Sequence, residues 1–171
     1  YIMKFMKVAI EEAKLAQNNN EVPVGAVITD THGKIISQAH NMTRTLYDPT
    51  SHAEIMAIRL ASSKLANNVL SNCDIYVTLE PCSMCYFAIS YARIRRIYFG
   101  AYSYEIDRNI LEDYSKPNGV GSSNHKPEIY GGILEEENRN LLKLFFKSKR
   151  WIILTGYPSM QYLFYKIYLY M

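Results

Sequence analysis

The sequence predicts an α/β fold, a three-layer α/β/α sandwich whose mixed sheet starts with an antiparallel hairpin. Two observations lead to this prediction. Short apolar runs typical of strands alternate with longer segments in which apolar residues recur every three or four positions, as on the buried face of a helix. The first two strand-like runs, VPVGAVIT and KIISQAH, are separated only by the turn-forming residues DTHG, which indicates a hairpin.

The remaining apolar pattern places the other elements in order. A first amphipathic helix is predicted over 3–17, and the hairpin strands over 22–29 and 34–40. Then follow a loop at 41–49, a helix at 51–65, a strand at 74–79, a helix at 82–91 and a strand at 95–100. Residues 101–127 are predicted to be mainly loop, before a strand at 128–133 and a helix at 135–149. Crossover helices between the later strands make that part of the sheet parallel.

Composition bounds the class of protein. With 171 residues, 49% of them hydrophobic and 20% charged, the chain suits one globular domain with its own core. The formal net charge of +3 is compatible with an anionic partner but does not require one. We expect a single domain over 1–150, followed by a hydrophobic and aromatic extension over 151–171. That extension lacks about 18 consecutive apolar residues, so no membrane span is expected.

Three cysteines occur, Cys73, Cys82 and Cys85, and an odd, small number argues against a disulfide framework. We therefore expect a reducing, cytoplasmic setting. Cys73 lies at a strand entrance and is predicted to be a small buried side chain. Cys82 and Cys85 form a C-x-x-C pair, which alone is compatible with half a structural zinc site, a redox pair or coincidence.

The segment SHAEIMAIRL begins a predicted helix. Ser51 and Glu54 have the spacing of a capping box, in which each side chain bonds the backbone of the other residue. Taken alone, His52 and Glu54 are more typical of a helix start and a polar surface than of a binding site. Their meaning changes when EPCSMC is considered with them.

Together the two segments predict a catalytic zinc site. Cys82 and Cys85 share one face of a helix whose positive dipole end favours anionic sulfur, and Pro81 suits its first turn. One histidine and two cysteines make three ligands, which leaves one position for water, whereas a structural site would want a fourth cysteine or histidine. Zinc lowers the pKa of such a water towards about 7. From the first helical turn Glu54 can reach that water and move its proton.

H-A-E followed by P-C-S-M-C resembles the signature of zinc-dependent nucleobase deaminases, of which the bacterial tRNA enzyme is a known example. The similarity is wider than these motifs. EVPVGAVI, His40–Asn41, DPTSHAEIMAIR, YVTLEPCSMC, RIRRIYFGA and NHKPEIYGGILEEE through FFKSKR resemble bacterial tRNA-specific adenosine deaminases along most of residues 3–150. Members of that family convert the wobble adenosine of an arginine tRNA anticodon to inosine.

The resemblance implies a set of roles. It implies one Zn²⁺ per subunit held by His52, Cys82 and Cys85, with Glu54 as the proton shuttle. It implies that Asn41 hydrogen-bonds the flipped base and that the VPVG segment around Val24 walls the pocket. It also implies the cytidine deaminase fold, binding of a tRNA anticodon arm, and a homodimer in which both subunits shape the RNA-binding surface.

Two further features concern RNA. The family usually has an acidic residue where this chain has Ser103, in a loop that borders the bound nucleotide. The last predicted helix ends with Lys143, Lys147, Lys149 and Arg150. These basic residues complement the helix dipole, and the resemblance favours a second role for Lys147, Lys149 and Arg150 as contacts to RNA phosphates.

Two other functions stay open on the sequence. A small-molecule deaminase acting on guanine, cytosine or dCMP would share the zinc chemistry, because the motif does not encode the ring that is attacked. A non-catalytic, zinc-bearing RNA-binding subunit is the alternative from another class. The presence of Glu54 counts against that second alternative, since a protein without catalysis would be free to lose it.

Overall fold

The computed structural model describes residues 1–103 and 125–154, with side chains described as far as residue 149. This part of the chain forms four helices, α1 (Ile2–Asn18), α2 (Ala53–Leu65), α3 (Ser83–Tyr91) and α4 (Glu135–Leu154). It also forms five strands, β1 (Gly25–Asp30), β2 (Ile35–His40), β3 (Cys73–Leu79), β4 (Arg96–Ala101) and β5 (Glu128–Tyr130). Across these two stretches, none of the helices combines the length and the apolar character that crossing a membrane requires.

Two predictions concern residues that lie largely outside the described part of the chain. Most of the loop predicted over 101–127 and most of the extension predicted over 151–171 lie outside the described residues. The division of the chain at residue 150 therefore stays a prediction. Helix α4 itself continues to Leu154.

The strands form one mixed sheet in the order β2-β1-β3-β4-β5. Strand β1 pairs antiparallel with both β2 and β3, whereas β3, β4 and β5 run parallel. The β1–β2 hairpin turns at Asp30, whose carboxylate accepts hydrogen bonds from the backbone amides of His32 and Lys34 at 2.9 Å. The predicted hairpin at the start of a mixed sheet is confirmed.

The two faces of the sheet carry separate apolar cores, because side chains alternate between the faces of a strand. On one face the strands pack against α2 and α3 through Ala26, Ile28, Ile75, Val77, Ile97, Ala57, Ala61 and Ile89. On the other face they pack against α1 and α4 through Val27, Tyr76, Tyr98, Phe5, Met6, Ile10 and Leu141. Helices therefore cover both faces of the sheet, and the predicted three-layer sandwich is confirmed.

Helix α1 lies unusually close to the sheet at Gly25. A Cβ atom at this position would lie 2.0 Å from the carbonyl oxygen of Ala9 and 2.6 Å from the amide of Ala13, so only glycine fits. The amide of Gly25 donates a hydrogen bond to Oγ1 of Thr78 in β3. This packing brings the end of α1, and Glu21 after it, to the sheet edge that carries the functional residues.

Candidate metal centre and active site

The candidate site lies at one edge of the sheet. Strands β2 and β3 both run antiparallel to β1, so their carboxyl ends meet at the same edge. The chain continues from β2 into the loop before α2, and from β3 through Glu80 and Pro81 into α3. The sequence motifs around His52 and Cys82 are thereby brought together although 30 residues separate them.

His52 and Cys82 each lie immediately before the first residue of a helix. His52 (φ −69°, ψ 157°) and Cys82 (φ −66°, ψ 169°) are the N-cap residues of α2 and α3, and both have extended backbones. Their carbonyl oxygens accept the first helical hydrogen bonds, from the amides of Met56 at 3.0 Å and Tyr86 at 2.8 Å. Each side chain is consequently presented at a helix N-terminus, where the dipole favours anionic groups.

The predicted helix starts were early by one or two residues. The capping box of Ser51 and Glu54 is wrong, because His52 is the N-cap and the Ser51 hydroxyl donates to Oδ2 of Asp48 at 2.7 Å. Pro81 likewise precedes the Cys82 N-cap and does not lie in the first turn of α3. These shifts leave the side chains of His52 and Cys82 facing each other.

His52, Cys82 and Cys85 form a compact set of metal-binding atoms. Nδ1 of His52 lies 3.7 Å from Sγ of Cys82 and 3.5 Å from Sγ of Cys85, and all three ligand atoms lie within 4.8 Å of one another. Tetrahedral zinc, with bonds of about 2.3 Å to sulfur and about 2.0 Å to nitrogen, separates two such ligands by about 3.5 Å. The donor set and its spacing therefore fit zinc.

The protonation of these groups is coupled through their contacts. A hydrogen bond from Cys85 lowers the pKa of the Cys82 thiol to about 4, so Cys82 is a thiolate at neutral pH. The same contact raises the pKa of Cys85, and the hydrogen bond with Cys82 raises the pKa of His52. Cys85 is buried whereas His52 and Cys82 are half-buried, so the set faces solvent on one side.

Glu54 lies in the first turn of α2, beside these ligands. Its side chain is 4% exposed, and burial raises its pKa to about 7. Contacts with its own backbone amide and with Cys85 lower the pKa only in part. Near neutral pH the carboxyl group thus exists in both protonation states, as a group that accepts and then donates a proton must.

Asn41 and Val24 lie at the same sheet edge. The backbone amide of Asn41 donates a hydrogen bond to the backbone carbonyl oxygen of Val24 at 3.0 Å, and both residues are buried. The next residue, Met42, donates its amide to the carbonyl oxygen of Ser51 at 3.0 Å. The structure therefore brings Asn41 and Val24 to the loop that ends at His52.

Two carboxylates that hold this loop were missed in the sequence. Asp48 accepts hydrogen bonds from Thr50 and Ser51. These bonds lower the pKa of Asp48 to about 2, and the bond from the Thr50 hydroxyl has the largest effect. The short spacing of Asp48, Thr50 and Ser51 is a local signal for such a turn. Glu21 accepts hydrogen bonds from the loop 20 to 24 residues further on, and no local pattern indicates that.

The residues predicted to face RNA are only partly described. Lys147 is exposed, and Nζ of Lys149 donates to Oδ1 of Asn20 at 3.0 Å, which places it near Glu21 and the loop. The side chain of Arg150 lies outside the described residues. The amide of Ser103 donates to Oε2 of Glu80 at 3.0 Å, just before residues 104–124, which are also outside the described part.

Comparison with known proteins agrees with this geometry. Residues 2–101 match the model of the cytidine and deoxycytidylate deaminase zinc-binding region. The chain is 43% identical over 148 residues to a tRNA-specific adenosine deaminase of Agrobacterium fabrum, an alignment that covers 85% of this chain and 94% of the relative.

Two solved structures are similar in fold as well. One, from studies of A-to-I editing by tRNA:A34 deaminases at the wobble position of transfer RNA, has a TM-score of 0.73 and 42% identity over 81% of this chain and 99% of its own. Guanine deaminase from Bacillus subtilis has a TM-score of 0.58 and 30% identity over 90% of this chain and 96% of its own. From the family model, the relatives and the fold, the chain belongs to the tRNA-specific adenosine deaminases of the cytidine and deoxycytidylate deaminase family.

Proposed function

We propose that this protein hydrolyses the wobble adenosine of a tRNA anticodon to inosine. The observation that carries the proposal is the set of His52, Cys82 and Cys85 with the buried carboxyl group of Glu54 beside it. It lies in a chain that shares 43% of its residues with a tRNA-specific adenosine deaminase over 85% of its length. In this reaction water adds at C6 of the purine, the C–N bond to the amino group breaks, and ammonia leaves.

Zinc would be held by Nδ1 of His52 and by the sulfur atoms of Cys82 and Cys85, one ion per chain. Their spacing supports this assignment, and two thiolates with one imidazole are ligands that zinc prefers. When bound, zinc supplies Lewis-acid activation of water at neutral pH. The N-termini of α2 and α3 add positive potential at the same place, which stabilises thiolate sulfur.

Glu54 would move the protons of the reaction. Its position in the first turn of α2 supports this role, since it is buried beside Cys85 and faces the ligand set. It takes one proton from the attacking water and passes it to a ring nitrogen, and it then takes the remaining proton from the added hydroxyl and passes it to the amino group, which leaves as ammonia. A carboxyl group with a pKa near the working pH can do both.

Asn41 and Val24 would bind the flipped base. Both lie at the sheet edge, next to the loop that ends at His52, and the backbone hydrogen bond between them supports a shared pocket wall. A base in an anticodon loop is already partly unstacked, so its extrusion costs less than from a duplex. Binding would combine an apolar contact from Val24 with a polar contact from the Asn41 amide.

The basic residues Lys147, Lys149 and Arg150, which lie within α4 one turn or more before its last residue, would contact the phosphates of the anticodon arm. The contact between Lys149 and Asn20 supports this, because it brings α4 next to the segment that holds the Asn41 loop. Lys147 is exposed two residues away, and Arg150 follows Lys149 in the sequence. Phosphate contacts of this kind give affinity that falls as salt is added.

We also propose that the protein acts as a homodimer in the cytoplasm. Helix α3 supports the dimer, because the apolar side chains of Met84 and Tyr91 are exposed on it at 37% and 60%. A second copy of the chain would cover such side chains. The three cysteines form no disulfide with one another, which supports a reducing compartment.

The assignment of the zinc ligands predicts the metal content of two cysteine variants. The wild type should hold one zinc per chain, and Cys85→Ala should lose most of it, because two ligands cannot hold zinc at the affinity of three. Cys73→Ala is the matched control, since Cys73 is also buried but lies outside the ligand set. Metal analysis of the purified proteins measures both. Equal zinc loss in the two variants would contradict the assignment.

The activity itself is measured on a synthetic anticodon stem-loop carrying a wobble adenosine, with inosine detected by mass. The wild type should form inosine, and Glu54→Ala should lower kcat by about 10² to 10⁴-fold while keeping its zinc, because only the proton transfer is removed. Free adenosine and guanine are assayed beside the stem-loop. Turnover of free adenosine or of guanine without any gain from RNA would instead support the small-molecule deaminase.

A zinc-bearing accessory subunit predicts a different result. In that case the Glu54→Ala protein would keep zinc, RNA binding and full biological function. The wild type would then also deaminate none of these substrates.

The contacts from α4 predict the salt dependence of RNA binding. Replacing Lys147 and Lys149 together by glutamine should weaken binding of the stem-loop and lower the slope of log affinity against log salt by about 2. Lys34→Gln is the control, because Lys34 is an exposed lysine in the hairpin turn at the opposite end of β2. Titrations at several salt concentrations measure the slope. The same slope in the double variant and in Lys34→Gln would exclude these contacts.

The dimer predicts the mass in solution. Sedimentation equilibrium should give the mass of two chains, and Met84→Glu should shift it towards one, because a charge on an apolar interface must be desolvated. Lys64→Glu, on the exposed surface of α2, is the control for the added charge. A single-chain mass for the wild type at assay concentrations would contradict the dimer.

A further inference from the structure

Glu21 is a deeply buried carboxylate outside the zinc ligands and Glu54. It lies between α1 and β1, is 1% exposed, and takes part in none of the salt bridges formed within 1–103 and 125–154. Its backbone amide donates to the carbonyl oxygen of Ala16 at 3.0 Å, which fixes Glu21 to the end of α1. A buried carboxylate needs several donors to offset its loss of water.

One carboxylate oxygen of Glu21 holds the backbone of the loop after β2. Oε1 accepts the amides of Arg44 at 2.9 Å and Thr45 at 2.7 Å, and the hydroxyl of Thr45 at 2.9 Å. Two successive backbone amides that point at one oxygen resemble the anion-binding arrangement of tight turns. Here the anion is a side chain of the protein, so the loop is held to α1 without any ligand.

The other oxygen of Glu21 holds the side chain of Asn41. Oε2 accepts Nδ2 of Asn41 at 3.2 Å and the hydroxyl of Thr43 at 3.3 Å, and Thr43 also lies 3.4 Å from Nδ2. A carboxylate only accepts hydrogen bonds, so the NH₂ group of the amide must face it. Oδ1 of Asn41 has no hydrogen-bond partner in the described part of the chain. The one fully buried side-chain polar atom without a partner there is Oδ1 of Asn138, so Oδ1 of Asn41 retains contact with solvent.

We propose that Glu21 is a positioning residue that fixes the Asn41 amide in one of its two orientations for the bound nucleoside. This inference rests on the proposed function, in which Asn41 contacts the base. With one N–H engaged by Glu21, the amide offers its oxygen and at most one N–H to a ligand. A rotated amide would exchange acceptor for donor, so the correct base would meet a mismatched partner.

The metal side of the loop has a separate anchor. Asp48 holds Thr50 and Ser51, next to His52, whereas Glu21 holds residues 41 to 45. A change at Glu21 should therefore disturb recognition of the nucleoside and leave the zinc ligands in place. This separates its role from that of a residue that supports the whole site.

A double-mutant cycle tests the inference. Wild type, Glu21→Gln, Asn41→Ala and the double variant are compared in single-turnover deamination of the anticodon stem-loop, with the zinc content of each measured. Glu21→Gln places an NH₂ group against other donors, so kcat/KM should fall about tenfold or more in the wild-type background. It should fall less than about twofold in the Asn41→Ala background, because Glu21 acts through Asn41.

The outcomes separate the two levels of the proposal. Equal losses in both backgrounds, with an active wild type and one zinc per chain throughout, would overturn the role of Glu21. No inosine from the wild type would instead contradict the proposed function. Should Glu21→Gln fail to fold, Thr43→Val replaces it in the cycle, since valine keeps the shape and removes the hydroxyl that bonds both groups. Its expected loss of several-fold should likewise vanish when Asn41 is replaced by alanine, and an undiminished loss would overturn the inference.

Asp74→Asn controls for the loss of a buried carboxylate. Asp74 is buried and pairs with Arg95 at the amino end of β3, the end opposite Cys82. Its replacement should lower stability and leave kcat/KM within about twofold of the wild type. A loss as large as that of Glu21→Gln would mean that reduced stability, and not the orientation of Asn41, lowers activity.

Discussion

Two helix N-termini converge at one edge of the sheet, and the rest of the site depends on that convergence. His52 and Cys82 use their backbones to begin α2 and α3, so their side chains are held where the helices start. The strands set the distance, because β2 and β3 both run antiparallel to β1 and end at the same edge. Two sulfur atoms and one imidazole nitrogen can then meet within 4.8 Å.

The same convergence determines the electrostatics. The positive ends of two helix dipoles oppose the cost of gathering thiolate sulfur in a partly buried place. The environment of Glu54 favours its uncharged form instead, because burial has the largest effect on this carboxyl group and raises its pKa to about 7. One carboxyl group and one thiol, Glu54 and Cys82, therefore differ in protonation although they lie in the same site. Their environments favour a proton on Glu54 and a thiolate at Cys82.

The sequence predicted the sheet and pointed to His52, Cys82 and Cys85, which the structure brings together, for physical reasons that apply to particular residues. Ile75, Val77 and Tyr76 alternate because β3 is covered on both faces, and the helices repeat apolar residues where they meet those faces. The predicted capping box does not form, because the Ser51 hydroxyl donates its hydrogen bond to Asp48, three residues earlier in the sequence. Glu21 could not be predicted, since its partners are backbone amides and side chains brought near only by packing of α1 on β1.

The position of Glu21 also bears on how one fold serves different substrates. Residues 2–101 match the zinc-binding region that the deaminase family shares, and guanine deaminase has a similar fold, so the metal chemistry does not select the ring. Selection must come from groups around the metal, and an amide such as Asn41 can discriminate only if its donor and acceptor are fixed. A carboxylate with five hydrogen-bond donors, anchored to α1, fixes them before the substrate arrives. Preorganisation of this kind lowers the ordering cost of binding, so under the proposed role of Asn41 specificity depends on a residue that need not touch the nucleoside.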